Sequence, residues 1–226
     1  MTSPSAAVED YLKAVYLLGE ETPTPGATGV VATTALARRL GVSAASATNM
    51  LKKLAALGLV SHSPYRGAEL TPAGRAVALE VIRHHRLIET YLATALDVPW
   101  DRVHEEAEVL EHVLSEQLEE RIAAHLGDPV ADPHGHPIPR RDGQLPDASD
   151  SRLWDIAVGS TATVTRVPDS DAETLRYLDS SGIRPGVQVR IEELGPVDGP
   201  LLVRPVDGED RCALSRVLAE SIWVAR

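Results

Sequence analysis

The spacing of apolar residues changes once along the chain, and this change limits the folds that the sequence can adopt. Up to about residue 125, apolar side chains recur at intervals of three and four residues, which is typical of amphipathic helices. After Asp155, apolar and polar residues alternate between turns such as Pro185-Gly186, which is typical of strands. The intervening segment GDPVADPHGHPIPRRDGQLPD is so rich in Pro, Gly and Asp that it predicts a loop. We therefore predict a mainly α protein that ends in a small, five-stranded β barrel.

The amino-terminal part has the pattern of a helix-turn-helix. A first helix is predicted from Glu9, and a short second helix runs from Thr34 to a stop at Gly41. A third helix begins after the N-cap candidate Ser43 and stops at Gly58. Two helices joined by a tight glycine turn are typical of DNA-reading domains.

The residues after the third helix predict a wing and a helical segment. LVSHSPYRGAELT contains two short extended runs around a turn, which indicates a β hairpin. A long helix begins at the N-cap candidate Thr71, and a further helix is predicted from about Trp100 to His125. The predicted domains are a winged helix-turn-helix at 1–78, a helical dimerisation and metal-binding domain at 79–146, a linker at 147–158 and an SH3-like barrel at 159–226.

The charge is unevenly distributed. The net charge of −11 by itself argues against a nucleic-acid partner, but residues 1–78 carry seven basic and five acidic side chains. Residues 79–146 carry six basic and fourteen acidic side chains, and seven of the eight histidines. Carboxylates and imidazoles concentrated in this way predict a site for divalent cations, with a solvated acidic face as the alternative.

Two further observations exclude other classes of protein. The single cysteine, Cys212, cannot form an internal disulfide or a thiolate-rich zinc or iron–sulfur site. No apolar run approaches 18 residues, and the start MTSPSAAVEDYLK lacks the order of a secretory signal. We therefore expect a cytoplasmic protein without a membrane partner.

Potential metal ligands recur at helical spacing in VHEEAEVLEHVLSE. At about 100° per residue, these four side chains share one face of a helix. They are His104, Glu108, Glu111 and His112. Upstream, His85 and Glu89 are one turn apart, so two antiparallel helices would bring six ligands together. The alternative is an ordinary polar face opposite an apolar stripe.

The whole chain resembles the diphtheria toxin repressor family of metal-dependent bacterial transcription regulators. The resemblance rests on EDYLKAVYLL, LTPAGRAVA, RHHRLIETYL, VHEEAEVLEHVLSEQLEERI, PHGHPIP and the carboxyl-terminal strands. It implies a primary metal site formed by Asp10, Glu108, Glu111 and His112. It also implies an ancillary site formed by His85, Glu89 and His104.

Two positions identify the branch of the family. Iron-responsive members have methionine and cysteine where this chain has Asp10 and Glu108, so the chain resembles the manganese transport regulators. Oxygen-rich coordination suits Mn²⁺, with Fe²⁺ or another divalent first-row ion as the alternative. Lys13 stands where the shortest regulators have a second acidic ligand. A protonated lysine cannot bind metal, which argues against a close two-metal cluster.

A second metal site is implied by the barrel-bearing manganese regulators, which build it partly from the loop and the barrel. The matching residues here are Asp132, His134 and Asp169, beside Glu89, and Asp171 is the alternative to Asp169. The remaining histidines of the segment, His84, His125 and His136, are interpreted as surface or packing residues.

The start of the third helix is predicted to face the major groove of DNA. The candidates there are Ser43, Ala45, Ser46, Thr48 and Asn49, with Lys52, Lys53, Arg38, Arg39 and the wing residue Arg66 near phosphates. Asn49 is the strongest candidate for a contact with a base edge, although the alanine and serine content predicts modest direct readout.

These observations predict a homodimeric, Mn²⁺-activated repressor that binds palindromic double-stranded operator DNA and has no small-molecule substrate. Dimerisation is predicted through apolar faces that carry Leu87, Tyr91, Val113 and Leu118. One alternative is an iron or zinc sensor of the same architecture. The other is a metalloenzyme that uses Glu108, Glu111 and His112, although the sequence offers no nucleophile or base beyond these ligands.

Overall fold

A computed structural model describes residues 4–21, 29–63, 67–146, 149–169, 171–197 and 199–225. The helices are α1 (Ala6–Glu21), α2 (Thr33–Arg39), α3 (Ala44–Ala56), α4 (Pro72–Ala95), α5 (Val103–Leu110), α6 (Glu116–His125), α7 (Ala172–Ser180) and α8 (Arg216–Ser221). The strands are β1 (Val60–Ser63), β2 (Gly67–Leu70), β3 (Ser151–Arg152), β4 (Thr161–Arg166), β5 (Gln188–Leu194), β6 (Leu201–Pro205), β7 (Cys212–Leu214) and β8 (Trp223–Ala225). Within the described ranges, no helix is both long and apolar enough to cross a membrane.

The chain forms two compact units, and the division falls inside α4. The first unit contains residues 1–84 together with 139–144, and the second contains residues 85–138 together with 145–226. The domain bounds at 1–78, 79–146, 147–158 and 159–226 stay predictions.

The first unit contains the predicted winged helix-turn-helix. Helix α2 contacts α1 and α3, and Leu36 and Leu51 are fully buried in the core of this unit. Strands β1 and β2 pair antiparallel as the predicted wing, with Val60 opposite Leu70. The hairpin prediction is therefore confirmed.

The predicted caps of this unit are also present. The Ser43 hydroxyl accepts a hydrogen bond from the Ser46 backbone N–H at 3.1 Å, at the start of α3. The Thr71 hydroxyl accepts one from the Gly74 N–H at 3.1 Å, at the start of α4. These side chains satisfy backbone donors that the first helical turn leaves without partners, which fixes where each helix begins.

In the second unit, two apolar clusters hold α5 and α6 against the carboxyl-terminal half of α4. The first cluster joins residues four apart on facing helices, as amphipathic packing requires, and the second joins α4, α6 and the segment after α6. The first cluster is Ile88, Leu92, Val103 and Ala107, and the second is Leu87, Ile122, Ala123 and Ile138. This packing positions the polar side chains that lie beside these stripes.

The prediction of one continuous helix from Trp100 to His125 is wrong. Helix α5 ends at Leu110, and α6 starts again after Ser115, whose hydroxyl accepts from the Leu118 N–H at 3.3 Å. Serine forms this cap well, so a new helix start competes with continuation of α5. The Glu111 N–H still donates to the Ala107 carbonyl at 2.9 Å, so the helical spacing holds as far as Glu111.

The carboxyl-terminal part of the second unit is an antiparallel sheet with the order β3-β8-β4-β5-β6-β7. It has six strands where five were predicted, because β3 is too short to show alternation. Helices α7 and α8 were not predicted from sequence. The apolar core of this part contains Val164, Ile191 and Val203, together with Leu153 from the predicted linker.

Candidate metal centre

Helices α4 and α5 bring four predicted ligands together, which we call the helix cluster: His85, His104, Glu108 and Glu111. His85 Nε2 lies 3.1 Å from His104 Nδ1, and the His85 Nδ1 contacts a Glu111 carboxylate oxygen. Glu108 Oε1 lies 3.7 Å from His104 Nε2 and 3.9 Å from His85 Nδ1. One ligand atom each from His85, His104 and Glu108 lies within 4.8 Å of the other two.

The segments that follow α6 and β4 form a second group, which we call the loop cluster: Asp132, His134, His136 and Asp169. One ligand atom of each residue lies within 4.8 Å of the corresponding atoms of the other three. His136 Nδ1 lies 3.4 Å from Asp169 Oδ2 and 3.6 Å from Asp132 Oδ2. Asp132, His134 and Asp169 were predicted from the sequence to share one site, whereas His136 was interpreted as a surface or packing residue.

Backbone geometry builds the loop cluster. Asp132 Oδ1 accepts hydrogen bonds from the backbone N–H groups of His134 at 2.8 Å and His136 at 2.9 Å. Gly135 has φ +88°, and a Cβ atom there would lie 1.9 Å from the Thr165 carbonyl oxygen. Only glycine allows the loop to approach β4 this closely. The Val167 N–H completes the junction by donating to the His134 carbonyl at 2.9 Å.

The tautomer of His134 follows from its neighbours. His134 Nε2 lies 2.8 Å from the Trp100 carbonyl oxygen, which can only accept, so Nε2 carries the proton. The indole of Trp100 also stacks on the imidazole, with 5.6 Å between ring centroids. Nδ1 is therefore the atom available to bind a cation, as in metal sites whose second imidazole nitrogen donates to a carbonyl.

Four buried atoms around the loop cluster have no hydrogen-bond partner among the described residues: Glu89 Oε2, Asp132 Oδ2, His134 Nδ1 and His136 Nδ1. Leaving one such atom unsatisfied costs about 1–3 kcal/mol. All four are potential metal ligands, and three belong to alternate residues of the same loop. The residues present therefore fit a divalent cation held by oxygen and nitrogen donors.

Glu89 connects the two clusters. Its Oε1 lies 3.0 Å from His85 Nε2 and 3.2 Å from His104 Nδ1, in the helix cluster. Its Oε2 lies 3.9 Å from His134 Nδ1, in the loop cluster. The side chain is fully buried, so each carboxylate oxygen is available to one cluster rather than to solvent.

Burial and charge oppose one another at these carboxylates. Burial favours the neutral acid, but hydrogen bonds from His104 and His85 hold the pKa of Glu89 below its ordinary value. Burial likewise acts to raise the pKa of Asp132, whereas His136 and Arg86 lower it well below the ordinary range. The carboxylates therefore remain charged in the metal-free protein, which keeps them ready to bind a cation.

The pKa of His136 is shifted in the opposite direction, upward. Burial acts to lower its pKa, but the carboxylates of Asp169 and Asp132 raise it above the ordinary value. Burial acts to raise the pKa of Asp169, and the charge of His136 lowers it. Of the two alternatives from the sequence, Asp169 lies in the cluster, whereas Asp171 is the exposed N-cap of α7.

The remaining predicted ligands lie on α1 and after α5. His112 Nε2 lies 3.5 Å from Glu111 Oε1, so the two residues are neighbours at the end of α5. Asp10 is half-buried on α1 in the first unit, and Lys13 is buried on the same helix.

Most of the predicted DNA-contacting side chains are exposed on the first unit. The exposed residues are Arg38, Arg39, Ser43, Ala45, Ser46, Asn49, Lys52 and Lys53. Thr48 is half-buried and its hydroxyl donates to the Ala44 carbonyl at 2.8 Å, so it is engaged within α3. Arg66 lies outside the described residues.

The predicted dimer face needs correction. Leu87 is fully buried in the apolar cluster between α4 and α6, so it is not available to a partner. Tyr91 packs against the same cluster and against the ring of His125. Val113 and Leu118 are exposed, as a contact surface requires.

Comparison with known families accounts for nearly the whole of this architecture. The DNA-binding domain of iron-dependent repressors matches residues 4–68, and their metal binding and dimerisation domain matches residues 71–140. The chain belongs to the diphtheria toxin repressor family. The FeoA domain matches residues 152–226, which contain all of the six-stranded sheet except Ser151.

Individual relatives agree with this family. The iron-dependent repressor IdeR of Mycobacterium tuberculosis is 32% identical, with 96% of each chain covered. The diphtheria toxin repressor of Corynebacterium efficiens is 34% identical, with 81% of each chain covered. A solved manganese-dependent transcriptional repressor in complex with manganese is 41% identical, with a TM-score of 0.87, and the match covers 96% of this chain and 99% of that one.

As a member of the diphtheria toxin repressor family, the chain is a metal-dependent transcriptional repressor and not an enzyme. The metalloenzyme hypothesis is therefore wrong. The matched domains indicate operator DNA and a second copy of the chain as its partners.

Proposed function

We propose that Mn²⁺ activates this repressor and that it binds palindromic operator DNA as a homodimer. The observation that carries the proposal is the set of buried ligand atoms without hydrogen-bond partners at Glu89, Asp132, His134 and His136. A divalent cation satisfies carboxylate oxygens and imidazole lone pairs together.

The donor types favour manganese. Both clusters consist of carboxylates and imidazoles, whereas Met50 lies on α3 and Cys212 lies in β7, where its thiol donates to the Tyr177 hydroxyl at 3.3 Å. Carboxylate ligands suit Mn²⁺, and soft sulfur ligands suit other ions. The similar solved repressor, which is in complex with manganese, supports the same choice.

Iron or zinc is the second candidate, and the imidazoles favour it. His85, His104, His134 and His136 contribute four nitrogens to the two clusters, and imidazole suits zinc and iron as well. Intrinsic affinity rises from Mn²⁺ through Fe²⁺ along the first-row series, so the donor count alone does not select manganese. The test therefore compares the three ions directly.

The chain contributes a set of fixed, mutually repelling carboxylates. Glu89, Asp132 and Asp169 are held close together by α4, the loop and the segment after β4. When bound, a divalent ion supplies the positive charge that offsets their repulsion. To move a conformational equilibrium from 1:99 to 99:1, the ion must bind the favoured conformation about 5.5 kcal/mol more tightly than the other conformation. Asp10, His112 and the other primary ligands stay predictions within this scheme.

DNA binding is assigned to the exposed start of α3. We assign Asn49 to a base edge and Lys52 and Lys53 to phosphates, with Arg38 and Arg39 on α2 supporting the backbone contact. Two copies of α3 in a homodimer would read half-sites about 34–36 Å apart, which is why the operator is expected to be palindromic. The exposed Val113 and Leu118 form part of the proposed dimer face.

The decisive experiment measures DNA retention by fluorescence anisotropy. The probe is a palindromic duplex selected from a random library with the purified protein and Mn²⁺. We expect Mn²⁺ to tighten binding at least about tenfold over chelator, since allosteric couplings are typically worth about 1–3 kcal/mol. Fe²⁺ and Zn²⁺ are titrated in parallel, and a stronger response to either would replace manganese as the activator.

Matched variants connect this response to the metal centre. Glu108→Ala should abolish the Mn²⁺ effect, because Glu108 belongs to the helix cluster. Glu105→Ala removes an exposed carboxylate from the first turn of the same helix and should leave the effect intact. Equal DNA retention in chelator and in metal would overturn the proposal.

A further inference from the structure

His136 occupies a position that neither the helical spacing nor the family resemblance assigned to a metal site. Its Nδ1 is buried and has no hydrogen-bond partner among the described residues. The same atom lies 3.4 Å from Asp169 Oδ2 and 3.6 Å from Asp132 Oδ2. The imidazole therefore directs Nδ1 toward the carboxylates of the loop cluster, and this nitrogen can bind a cation once it has lost its proton.

The loop holds His136 in this place through backbone contacts. The Asp132 N–H donates to the His136 carbonyl at 3.0 Å, and the His136 N–H donates back to Asp132 Oδ1 at 2.9 Å. Arg86 anchors the end of the loop by donating to the Pro137 carbonyl at 2.5 Å. A ligand must be pre-positioned to contribute fully to metal affinity, and this closed loop supplies that restraint.

His134 and His136 then face the same point from two directions. Their ring centroids lie 6.5 Å apart with the planes tilted by 57°, so the rings are not stacked on each other. His134 Nδ1 is 4.0 Å from Asp132 Oδ1 and also lacks a hydrogen-bond partner. Two imidazole nitrogens and two carboxylates converge within 4.8 Å, which is the donor number of a four-coordinate site.

We propose that His136 is a metal ligand of the loop cluster and binds the cation through Nδ1, together with Asp132, His134 and Asp169. The proposal rests on the metal-dependent function above and adds a residue to it. A second imidazole makes this cluster richer in nitrogen than a set of carboxylates and one histidine. Because imidazole favours zinc and its neighbours more than manganese, His136 also sets the metal preference of the loop cluster.

A purely electrostatic role for His136 makes the opposite prediction. If the imidazole only balanced the charge of Asp132 and Asp169, removing it would leave a more negative cluster, and cations would bind more tightly. If His136 is a ligand, its removal weakens binding. The sign of the change in affinity separates the two roles.

The first measurement is metal binding by isothermal titration in the full chain carrying Glu108→Ala and His112→Ala, which removes ligands outside the loop cluster. Adding His136→Ala should weaken Zn²⁺ binding at least about tenfold, since even partners that only orient a ligand are worth about 10–100-fold. Mn²⁺ binding should weaken less. His125→Ala removes an exposed histidine of α6 and is the matched control, with no change expected.

The second measurement is a crystal structure of the unsubstituted chain with Mn²⁺ or Zn²⁺, using the anomalous signal of the ion. We expect a zinc peak about 2.0–2.1 Å from His136 Nδ1. A peak bound by Asp132, His134 and Asp169 with the His136 ring turned away would overturn this inference while leaving the proposed function intact. Unchanged or tighter binding by His136→Ala would overturn it as well, and neither measurement depends on DNA.

Discussion

The helix cluster and the loop cluster use the same chemical groups but differ in how these groups are satisfied. In the helix cluster, His85 contacts Glu89, His104 and Glu111, and the Glu108 side chain is 44% exposed. In the loop cluster, the inward-facing atoms of Asp132, His134 and His136 are buried without hydrogen bonds. The helix cluster therefore satisfies its polar atoms largely through its own hydrogen bonds, whereas the loop cluster relies on ion pairs and leaves buried atoms that a cation would satisfy.

The largest expected effect comes from the backbone of the loop cluster. Gly135→Ala should destabilise the second unit by about 3 kcal/mol or more, because the new Cβ meets the Thr165 carbonyl at 1.9 Å in a left-handed conformation. Metal binding at the helix cluster should survive if the two clusters are built independently. Chemical denaturation and metal titration measure the two effects.

Gly127→Ala is the matched control for this substitution. Gly127 also has positive φ, at +74°, but a Cβ there meets nothing within 4 Å. It should cost only about 1–2 kcal/mol, the conformational penalty alone. Similar losses for the two variants would show that the contact with β4 does not define the loop.

Glu89→Gln tests whether one carboxylate serves both clusters. At a Mn²⁺ concentration about 100 times the Kd, the unsubstituted protein should gain about 2.7 kcal/mol of stability. Glu89→Gln should gain much less than half of this, because it removes the charge that faces both clusters. The measurement is urea unfolding with Mn²⁺ and with chelator.

Glu105→Gln on the exposed side of α5 is the control for Glu89→Gln and should keep the full gain. If Mn²⁺ stabilised Glu89→Gln as much as the unsubstituted protein, neither cluster would need the charge of Glu89. A drop of only one in the number of ions bound would show that a single cluster depends on Glu89.

The smallest expected effect is a pH dependence that belongs to the loop cluster. The neighbouring carboxylates of Asp169 and Asp132 raise the pKa of His136 against the effect of burial. A raised pKa stabilises the fold fully below the unfolded value of about 6.5, and this stabilisation is lost as the pH rises through the folded value. In chelator, the stability of the unsubstituted protein should therefore decline above about pH 6.5 more steeply than that of His136→Ala.

With saturating Mn²⁺ the slope should reverse, since the imidazoles must lose their protons before they bind metal. Unfolding midpoints in urea at several pH values measure both slopes. Parallel curves for the two proteins in chelator would show that His136 does not carry the pH dependence.

The difference between the clusters also explains what could be predicted from sequence. The helix cluster follows from local rules: residues four apart share a helix face, so His85 with Glu89 and His104 with Glu108 could be paired directly. The caps at Ser43 and Thr71 were predictable for the same reason, because each depends on a few adjacent residues.

The loop cluster depends on contacts between distant parts of the chain. The turn at Gly135 and its contact with β4 determine the position of His136. No periodicity in the sequence predicts the turn or the contact. The alternation Asp132-x-His134-x-His136 was the available signal, because alternate residues of an extended or tightly turned loop can converge. The break before Ser115 was missed because apolar spacing continues across it, although serine was visible as a helix start.

The shared position of Glu89 has a mechanical consequence. Its two oxygens belong to one rigid, planar group on a side chain that solvent does not reach. Rotating that plane to improve the fit on one side necessarily re-aims the opposite oxygen. A movement of His85 or His104 that rotates the Glu89 carboxylate therefore also changes the distance between Glu89 Oε2 and His134 Nδ1. This coupling needs no movement of the backbone.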